Sequence, residues 1–240
     1  MNNRLHKNQP RKHSNQQAHN WLIYDLIAQK LEENSGCYKG TLVDLGCGEA
    51  PYKEFFLRFC DKYVGIDRPG SLHKSKVDLE ADLNTAIPLS DGYADTVVAI
   101  SVMEHLYNPE RFLHESFRIL KNGGFFVLQV PFQWQLHEQP NDYFRYTLHG
   151  LQHLLRNSGF SEISIETLGG FFTSCSLKLN YFTRRLIDTK LLRKLQLNTL
   201  LKQVMTPCWT INQLASPFFD RLDPRPEMET AGFFAVARKP

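Results

Sequence analysis

Residues 41–50 read T-L-V-D-L-G-C-G-E-A. Thr41, Leu42, Val43 and Leu45 make a short, largely apolar and partly β-branched run with one carboxylate, Asp44, set inside it. Gly46 and Gly48 follow at once, and Pro51 opens an amphipathic segment. A buried strand that passes through a glycine turn into a helix is the first unit of a doubly wound α/β fold. Glycine serves such a turn because the backbone there takes φ > 0 or approaches a ligand with no Cβ in the way. The dinucleotide pattern wants a third glycine at a place that here falls on Pro51, which tells against NAD and FAD.

The rest of the chain is read outward from this turn. Its 240 residues suit one domain with an elaboration. An apolar content of 42% and a charged content of 22% are those of an ordinary soluble protein. Lys and Arg number 28 against 25 Asp and Glu, a balance that weighs against a nucleic-acid partner. Five cysteines (Cys37, Cys47, Cys60, Cys175, Cys208) include no C-x-x-C pair. They fit a reducing compartment, with neither a disulfide framework nor a zinc site. The N-terminus lacks the apolar core of a secretory signal, and no window reaches the ~18 apolar residues of a membrane span. A cytoplasmic protein is expected. Residues 1–20 are polar and basic and read as a flexible tail.

Apolar residues recur at helical spacing over 21–31. A helix is expected from Pro51 to Cys60, with Phe55, Phe56 and Phe59 on its buried side. Tyr63–Asp67 reads as the second strand, and its terminal carboxylate falls 23 residues after Asp44, close to the ~20 expected of an acid that binds ribose hydroxyls. Val77–Glu80 is a short third strand, followed by Asp82 and Leu83. Residues 95–100 form the fourth strand, ending in S-V-M-E-H-L. A helix over 109–120 is stopped by Asn122-Gly123-Gly124, and 125–130 is a fifth, nearly all-apolar strand ended by Pro131. Thr147 can cap a helix reaching Ser158; 163–167 and 232–238 read as the last strands. Alternation of strand and helix argues a mainly parallel sheet whose ligand crevice lies at the carboxyl ends of the strands. Gly46, Asp67, Asp82, Ser101 and Pro131 all fall at those ends.

The ordered set D-L-G-C-G, G-I-D, D-L-N-T-A-I-P-L-S-D-G-Y-A-D-T-V-V, M-E-H-L, L-K-N-G-G and G-F-F-V-L-Q-V-P resembles the class I S-adenosylmethionine-dependent methyltransferases over residues 37–167 and the last strand. The resemblance implies a seven-stranded Rossmann-like sheet with an antiparallel last strand and S-adenosylmethionine as cofactor. It implies that Asp44, Gly46 and Gly48 hold the methionine part and Asp67 the ribose. Asp82 and the Leu83 backbone would hold the adenine, and Ser101 and His105 would line the cofactor beside the methyl group. Ser101-Val102-Met103-Glu104 stands where amine-methylating relatives acting on nucleobases or glutamine carry [DN]-P-P-[YF], which tells against those acceptors. Glu104 itself reads as structural.

Pro131–Thr147 packs aromatics (Phe132, Trp134, Tyr143, Tyr146) with ionisable groups (His137, Glu138, Asp142, Arg145). It resembles the H-x-x-P-x-D-[YF]-x-R-[YF]-T signature of a methyltransferase subgroup tied to glycoconjugate pathways. Trp134, Tyr143, Arg145 and Tyr146 are the expected substrate residues. A hydroxyl acceptor needs a base, and a neutral histidine is the usual candidate. His137 would be that base or orient the acceptor, with Asp142 or Glu138 fixing its tautomer. The alternative is that His137, Asp142 and Arg145 form a structural latch. His137, Glu138 and Asp142 match no standard metal spacing, so no metal is expected.

Residues 168–231 are an insertion before the last strand, and 21–167 with 232–240 make up the cofactor-binding domain. Residues 175–205 carry a helical apolar pattern with seven basic residues against one acid, Asp188, while Pro207, Pro217, Pro224 and Pro226 are expected to break up its end. Such a segment serves as a lid over the acceptor, as a peripheral contact with an anionic membrane, or as a homodimer interface. The function expected is O-methylation of a small-molecule, sugar or lipid-linked glycan acceptor. Other readings are a non-catalytic scaffold of the same fold and a nucleotide-dependent oxidoreductase.

Overall fold

The computed structural model describes residues 15–68 and 77–240. Most of the expected basic tail, and the segment leading to the third strand, lie outside the described residues. In chain order the elements are α1 (Trp21–Glu33), β1 (Thr41–Leu45), α2 (Lys53–Phe56), β2 (Lys62–Asp67), β3 (Leu79–Glu80), β4 (Ala94–Ile100), α3 (Pro109–Ile119), β5 (Leu120–Pro131), α4 (Leu148–Asn157), β6 (Ser161–Thr167), α5 (Phe171–Ile187), α6 (Lys190–Lys194), α7 (Asn198–Phe219) and β7 (Gly232–Arg238).

The strands form one seven-stranded sheet in the order β3-β2-β1-β4-β5-β7-β6. Strands β1 to β5 pair in parallel, and β7 runs antiparallel between β5 and β6. Alternation along a strand sends successive side chains to opposite faces. On one face Val43, Leu45, Val64 and Ile66 pack with Phe112 and Leu113 of α3 and Leu151 and Leu155 of α4. On the other, Leu42, Tyr63, Val98 and Val127 pack with Ile23, Ile27 and Leu31 of α1 and with Phe55 and Phe56. Because both faces are covered, the central strands are buried throughout.

Several local expectations are corrected. The helix expected over 51–60 is the single turn α2; the amides of Phe59 and Cys60 both return to the Phe56 carbonyl, and Asp61 and Lys62 then donate to the Gly40 carbonyl. Aromatic packing dominates helix propensity here, since Tyr38 meets Phe55, Phe56 and Phe59 with ring centroids 5.0–6.1 Å apart. Strand β5 begins at Leu120 with no connecting loop, and the register against β4 slips between Ala94 and Thr96. The expected stop is a bulge in a strand: Gly123 has φ +74°, and a Cβ on Gly124 would lie 2.8 Å from the Lys121 carbonyl. Strand β3 keeps only Leu79 and Glu80 of the expected four residues.

The insertion is three helices, and α7 runs straight through Pro207 and Pro217 to Phe219. Each proline costs a backbone hydrogen bond, yet the helix is held by its burial of Trp209, Gln213 and Ser216. The Gln213 side chain accepts from the Leu22 amide at 2.9 Å and donates to the Ala18 carbonyl at 2.9 Å. It thereby satisfies one of the free amides at the start of α1, where the capping residue Asn20 makes no side-chain cap. The insertion is thus docked on the N-terminal helix. Among the described residues no helix is long and apolar enough to cross a membrane.

Candidate active site

The carboxyl ends of β1, β2, β4 and β5 open onto one cavity of about 800 Å³. Asp44, Gly46, Gly48, Asp67, Asp82, Leu83, Ser101 and His105 all line it. Asp44 is buried at the floor, and its Oδ2 accepts from the Tyr63 hydroxyl at 2.6 Å. Burial pushes its carboxyl up to about 7, reinforced by the nearby Asp67 and opposed by the Tyr63 hydrogen bond. Gly46 has φ +73°, and a Cβ there would lie 2.5 Å from Val102 Cγ2, so both conformation and space demand glycine.

The turn is tied to the neighbouring strand. The amides of Gly46 and Cys47 both donate to the Ile66 carbonyl, at 2.7 and 3.1 Å. Asp67 Oδ2 then accepts from the Gly48 amide at 3.1 Å. Asp82 Oδ1 accepts from the Asn84 backbone and side-chain N–H groups, both at 2.9 Å, and Leu83 beside it is buried. Ser101, just beyond β4, holds φ +55°, a costly conformation for a residue with a Cβ. Its Oγ donates to Gln129 Oε1 at 2.5 Å and its amide to the Gln129 carbonyl at 3.1 Å. These features fit a group with an ammonium, a diol and a flat heterocycle: a buried carboxylate, an acceptor at the β2 end, and an apolar wall at Leu83.

The far end of the cavity is built by two segments clamped together. Met103–His105 form one 3-10 turn after β4. The amides of Tyr143 and Phe144 donate to the Glu104 carbonyl, the Tyr146 hydroxyl to the Met103 carbonyl, and His105 Nδ1 lies 2.7 Å from the Asn141 carbonyl. This folds the loop 132–146 back so that the His105 and His137 rings stand edge to face, with centroids 4.7 Å apart. Trp134, His137, Glu138 and Tyr143 line the cavity. Arg145, Tyr146 and Asp142 do not: Tyr146 is buried on Met103, and Arg145 grips Asp142 through both guanidinium ends at 2.6 and 2.7 Å.

Arg145 also donates to the carbonyls of Gln135 and Phe144, both at 2.8 Å. Burial opposes ionisation of Asp142, but Arg145 and the His137 amide outweigh it and hold the carboxyl at about 2. Burial, then the neighbouring His105, pull the His137 pKa below its ordinary value. The Arg145–Asp142 pair thus ties the loop, with the His137 amide donating to Asp142 Oδ2 at 2.9 Å and the His137 ring beside it.

Sequence reading missed several wall residues. Ile23, Tyr24 and Ile27 of α1 and Tyr181 of α5 line the cavity, and Tyr181 stacks edge-on against Trp134 at 5.2 Å. Glu104, read as structural, also lines it. Its side chain is wholly buried, neither carboxylate oxygen has a hydrogen-bond partner among the described residues, and burial raises its pKa to about 8. One signal was present: a carboxylate inside the apolar run Val102, Met103, Leu106, all three of them buried.

The order of the sheet, its antiparallel seventh strand and a ligand cavity over the glycine turn define the class I Rossmann-like methyltransferase fold. Residues 43–128 match the family model described as a methyltransferase domain. An S-adenosylmethionine-dependent methyltransferase of Mycolicibacterium smegmatis is 26% identical over 114 residues, covering 45% of this chain and 44% of that protein. A ubiquinone biosynthesis O-methyltransferase of a Bradyrhizobium strain is 32% identical over 121 residues, covering 45% of this chain and 48% of its own. The chain spans less than half the length of these relatives. A solved S-adenosylmethionine-dependent methyltransferase from Archaeoglobus fulgidus superposes with a TM-score of 0.56 at 16% identity, over 90% of this chain and 94% of that one. Residues 43–128 are thus similar to the methyltransferase domain of S-adenosylmethionine-dependent enzymes.

Proposed function

We propose that the protein methylates a hydroxyl oxygen of a small-molecule, sugar or lipid-linked glycan acceptor. Asp44, Gly46 and Gly48 would hold the methionine end of the cofactor, Asp67 the ribose, and Asp82 with Leu83 the adenine. Ser101 and His105 would stand beside the sulfonium. When bound, the cofactor supplies an electrophilic methyl group for in-line displacement, a reaction governed largely by positioning.

The observation that carries this reading is His137 on the wall of the shared cavity, its pKa held below the ordinary value by burial and then by His105. His137 Nδ1 lies 3.3 Å from Asp142 Oδ2. Arg145 Nη2 also approaches, at 3.4 Å, but its two N–H bonds already go to Asp142 and Gln135. With Asp142 accepting a hydrogen bond from Nδ1–H, the Nε2 lone pair is left to accept from or orient an acceptor hydroxyl. Trp134 and Tyr143 offer flat apolar walls of the kind that pack on a sugar or ring. The matched O-methyltransferase, an oxygen-methylating relative by name, agrees with a hydroxyl acceptor. Membrane presentation of that acceptor is favoured by the insertion, which leaves Leu179, Phe182, Leu191, Leu200 and Val204 exposed among its basic residues.

The test is calorimetric titration of wild type and Asp67→Ala with S-adenosylmethionine, S-adenosylhomocysteine and NADH, followed by turnover of His137→Ala. Binding of both sulfur ligands, weakened at least tenfold by Asp67→Ala and absent for NADH, is expected, since a hydrogen bond to a charged group is worth about 1.5–3 kcal/mol. A His137→Ala protein with full turnover on a hydroxyl acceptor would remove the histidine from the reaction.

A further inference from the structure

Glu104, His105 and His137 meet at the acceptor end of the cavity from two separate parts of the chain. Glu104 Oε1 lies 3.7 Å from His105 Nε2 and 3.8 Å from His137 Nε2, and one ligand atom of each residue lies within 4.8 Å of the others. Each ring has a polar contact on its far side. His105 Nδ1 donates to the Asn141 carbonyl at 2.7 Å, and His137 Nδ1 lies 3.3 Å from Asp142 Oδ2 and 3.4 Å from Arg145 Nη2. Both Nε2 atoms are turned inward, toward a carboxyl that is fully buried and has no hydrogen-bond partner among the described residues. Acceptor atoms that converge on a buried carboxyl with no donor among them call for a proton or a cation between them, and the two inward-facing imidazoles make a cation site.

We propose that Glu104, His105 and His137 bind one divalent cation, zinc by preference, with an open position toward the cavity. Two imidazoles, one carboxylate and a vacant fourth place are the ligand set of catalytic rather than structural zinc sites. Ligand atoms at about 2.1 Å from a tetrahedral ion lie about 3.4 Å from one another; the two distances to Glu104 are 3.7 and 3.8 Å and the histidine ligand atoms lie within 4.8 Å of each other, so side-chain rotation closes the site. The outer contacts are those that metal-ligating histidines require, a carbonyl behind one ring and a carboxylate behind the other. Arg145 anchors that carboxylate, which gives the loop latch a second purpose.

The site stands on these side chains alone; only its use rests on the proposed methyl transfer. Zinc brings the pKa of a bound water down to about 7 and acidifies a ligated hydroxyl in the same sense. An acceptor hydroxyl at the open position would lose its proton to water, and His137 would hold the ion instead of taking the proton. The acceptor class this favours is one with an oxygen able to ligate, such as a phenol or a vicinal diol.

The experiment uses the full chain carrying His6→Ala, His13→Ala, Cys175→Ser and Cys208→Ser, which removes two N-terminal histidines and the two exposed thiols as competing ligands. After chelator dialysis it is titrated with Zn²⁺ against a chromophoric competitor and with Co²⁺ by visible absorption. Each sample is also titrated with S-adenosylhomocysteine as a check on the fold. One ion per chain is expected, with tetrahedral Co²⁺ bands. Binding should be lost in Glu104→Gln, His105→Ala and His137→Ala, and weakened ~10–100-fold in Asp142→Asn. Stoichiometric binding that survives both Glu104→Gln and His137→Ala overturns the site. So does the absence of metal binding in a protein that binds S-adenosylhomocysteine. Failure to bind S-adenosylhomocysteine, with zinc still bound through these residues, overturns the methyltransferase reading and leaves the metal site standing.

Discussion

The Asp44 carboxylate and the Tyr63 hydroxyl meet at 2.6 Å across the neighbouring parallel strands β1 and β2, at the floor of the cofactor cavity. One hydrogen bond from a neutral phenol is a weak counterweight to full burial, and the Asp44 carboxyl is held at about 7. A cationic ligand on that floor favours the ionised form and lowers the pKa. Cofactor binding should therefore release a proton near pH 7, and affinity should rise from about pH 5.5 to about 7, while the ligand's α-amino group, with a pKa of about 7.7–8.0, stays charged. Calorimetry in two buffers of different ionisation heat measures the proton released. For the free protein the native state binds more protons than the unfolded one between pH 3.8 and about 7, so the contribution of Asp44 to stability is present below that window and lost as pH rises through it. Asp44→Asn should abolish both effects; an unchanged proton release would assign it elsewhere.

Arg145 and Asp142 form the tie that shapes the loop after β5. Replacing the fork of Arg145 by the single ammonium of Arg145→Lys leaves at least one Asp142 oxygen and one of the carbonyls at Gln135 and Phe144 without a partner. A loss of about 2 kcal/mol is expected, from the ~1–3 kcal/mol typical of an unsatisfied buried acceptor. Thermal melting should fall and turnover should drop, while affinity for S-adenosylhomocysteine stays unchanged, because the strand-end residues are untouched. Weakened cofactor binding would mean that the loop also shapes the cofactor end.

The helices of the insertion present apolar side chains beside Arg185, Lys190, Arg193 and Lys194, while Asp188 engages Arg184, Arg193 and Lys202. Each basic residue near an anionic surface adds about 1 kcal/mol, so flotation with phosphatidylserine vesicles should carry the protein at low salt and release it at high salt. Protein that stays in the dense fraction at low salt rules out the membrane surface.

The strand-end wall of the cavity was legible in the sequence because it is local. Gly46, Asp67 and Ser101 each follow or end a strand whose apolar run announces it, and the doubly wound topology brings those ends together. The acceptor end was legible only in part. His137 and Asp142 stood out as residue types, but nothing in their spacing brings Glu104 to His137, a pairing created by amides and a hydroxyl of residues 143–146 folding onto the turn at 103–105. The single-turn α2 and the bulge at 121–124 escaped for a related reason, since aromatic packing around Tyr38 and sheet pairing overrode the helix and stop signals. Prolines 207 and 217 misled because α7 is held by its partners rather than by its own backbone.

Gln213 reaches from α7 to grip both ends of the first turn of α1, and α1 in turn walls the cavity with Ile23, Tyr24 and Ile27. Together with the loop 132–146 and Tyr181, these walls lie outside the segment 43–128 that matches the methyltransferase model. The protein is in this sense a standard engine in a custom housing whose panels are bolted to one another. A chimera that aims to carry this acceptor preference onto a related domain must move α1, the post-β5 loop and the insertion as one unit. Any one of them grafted alone arrives without the contacts that give it shape.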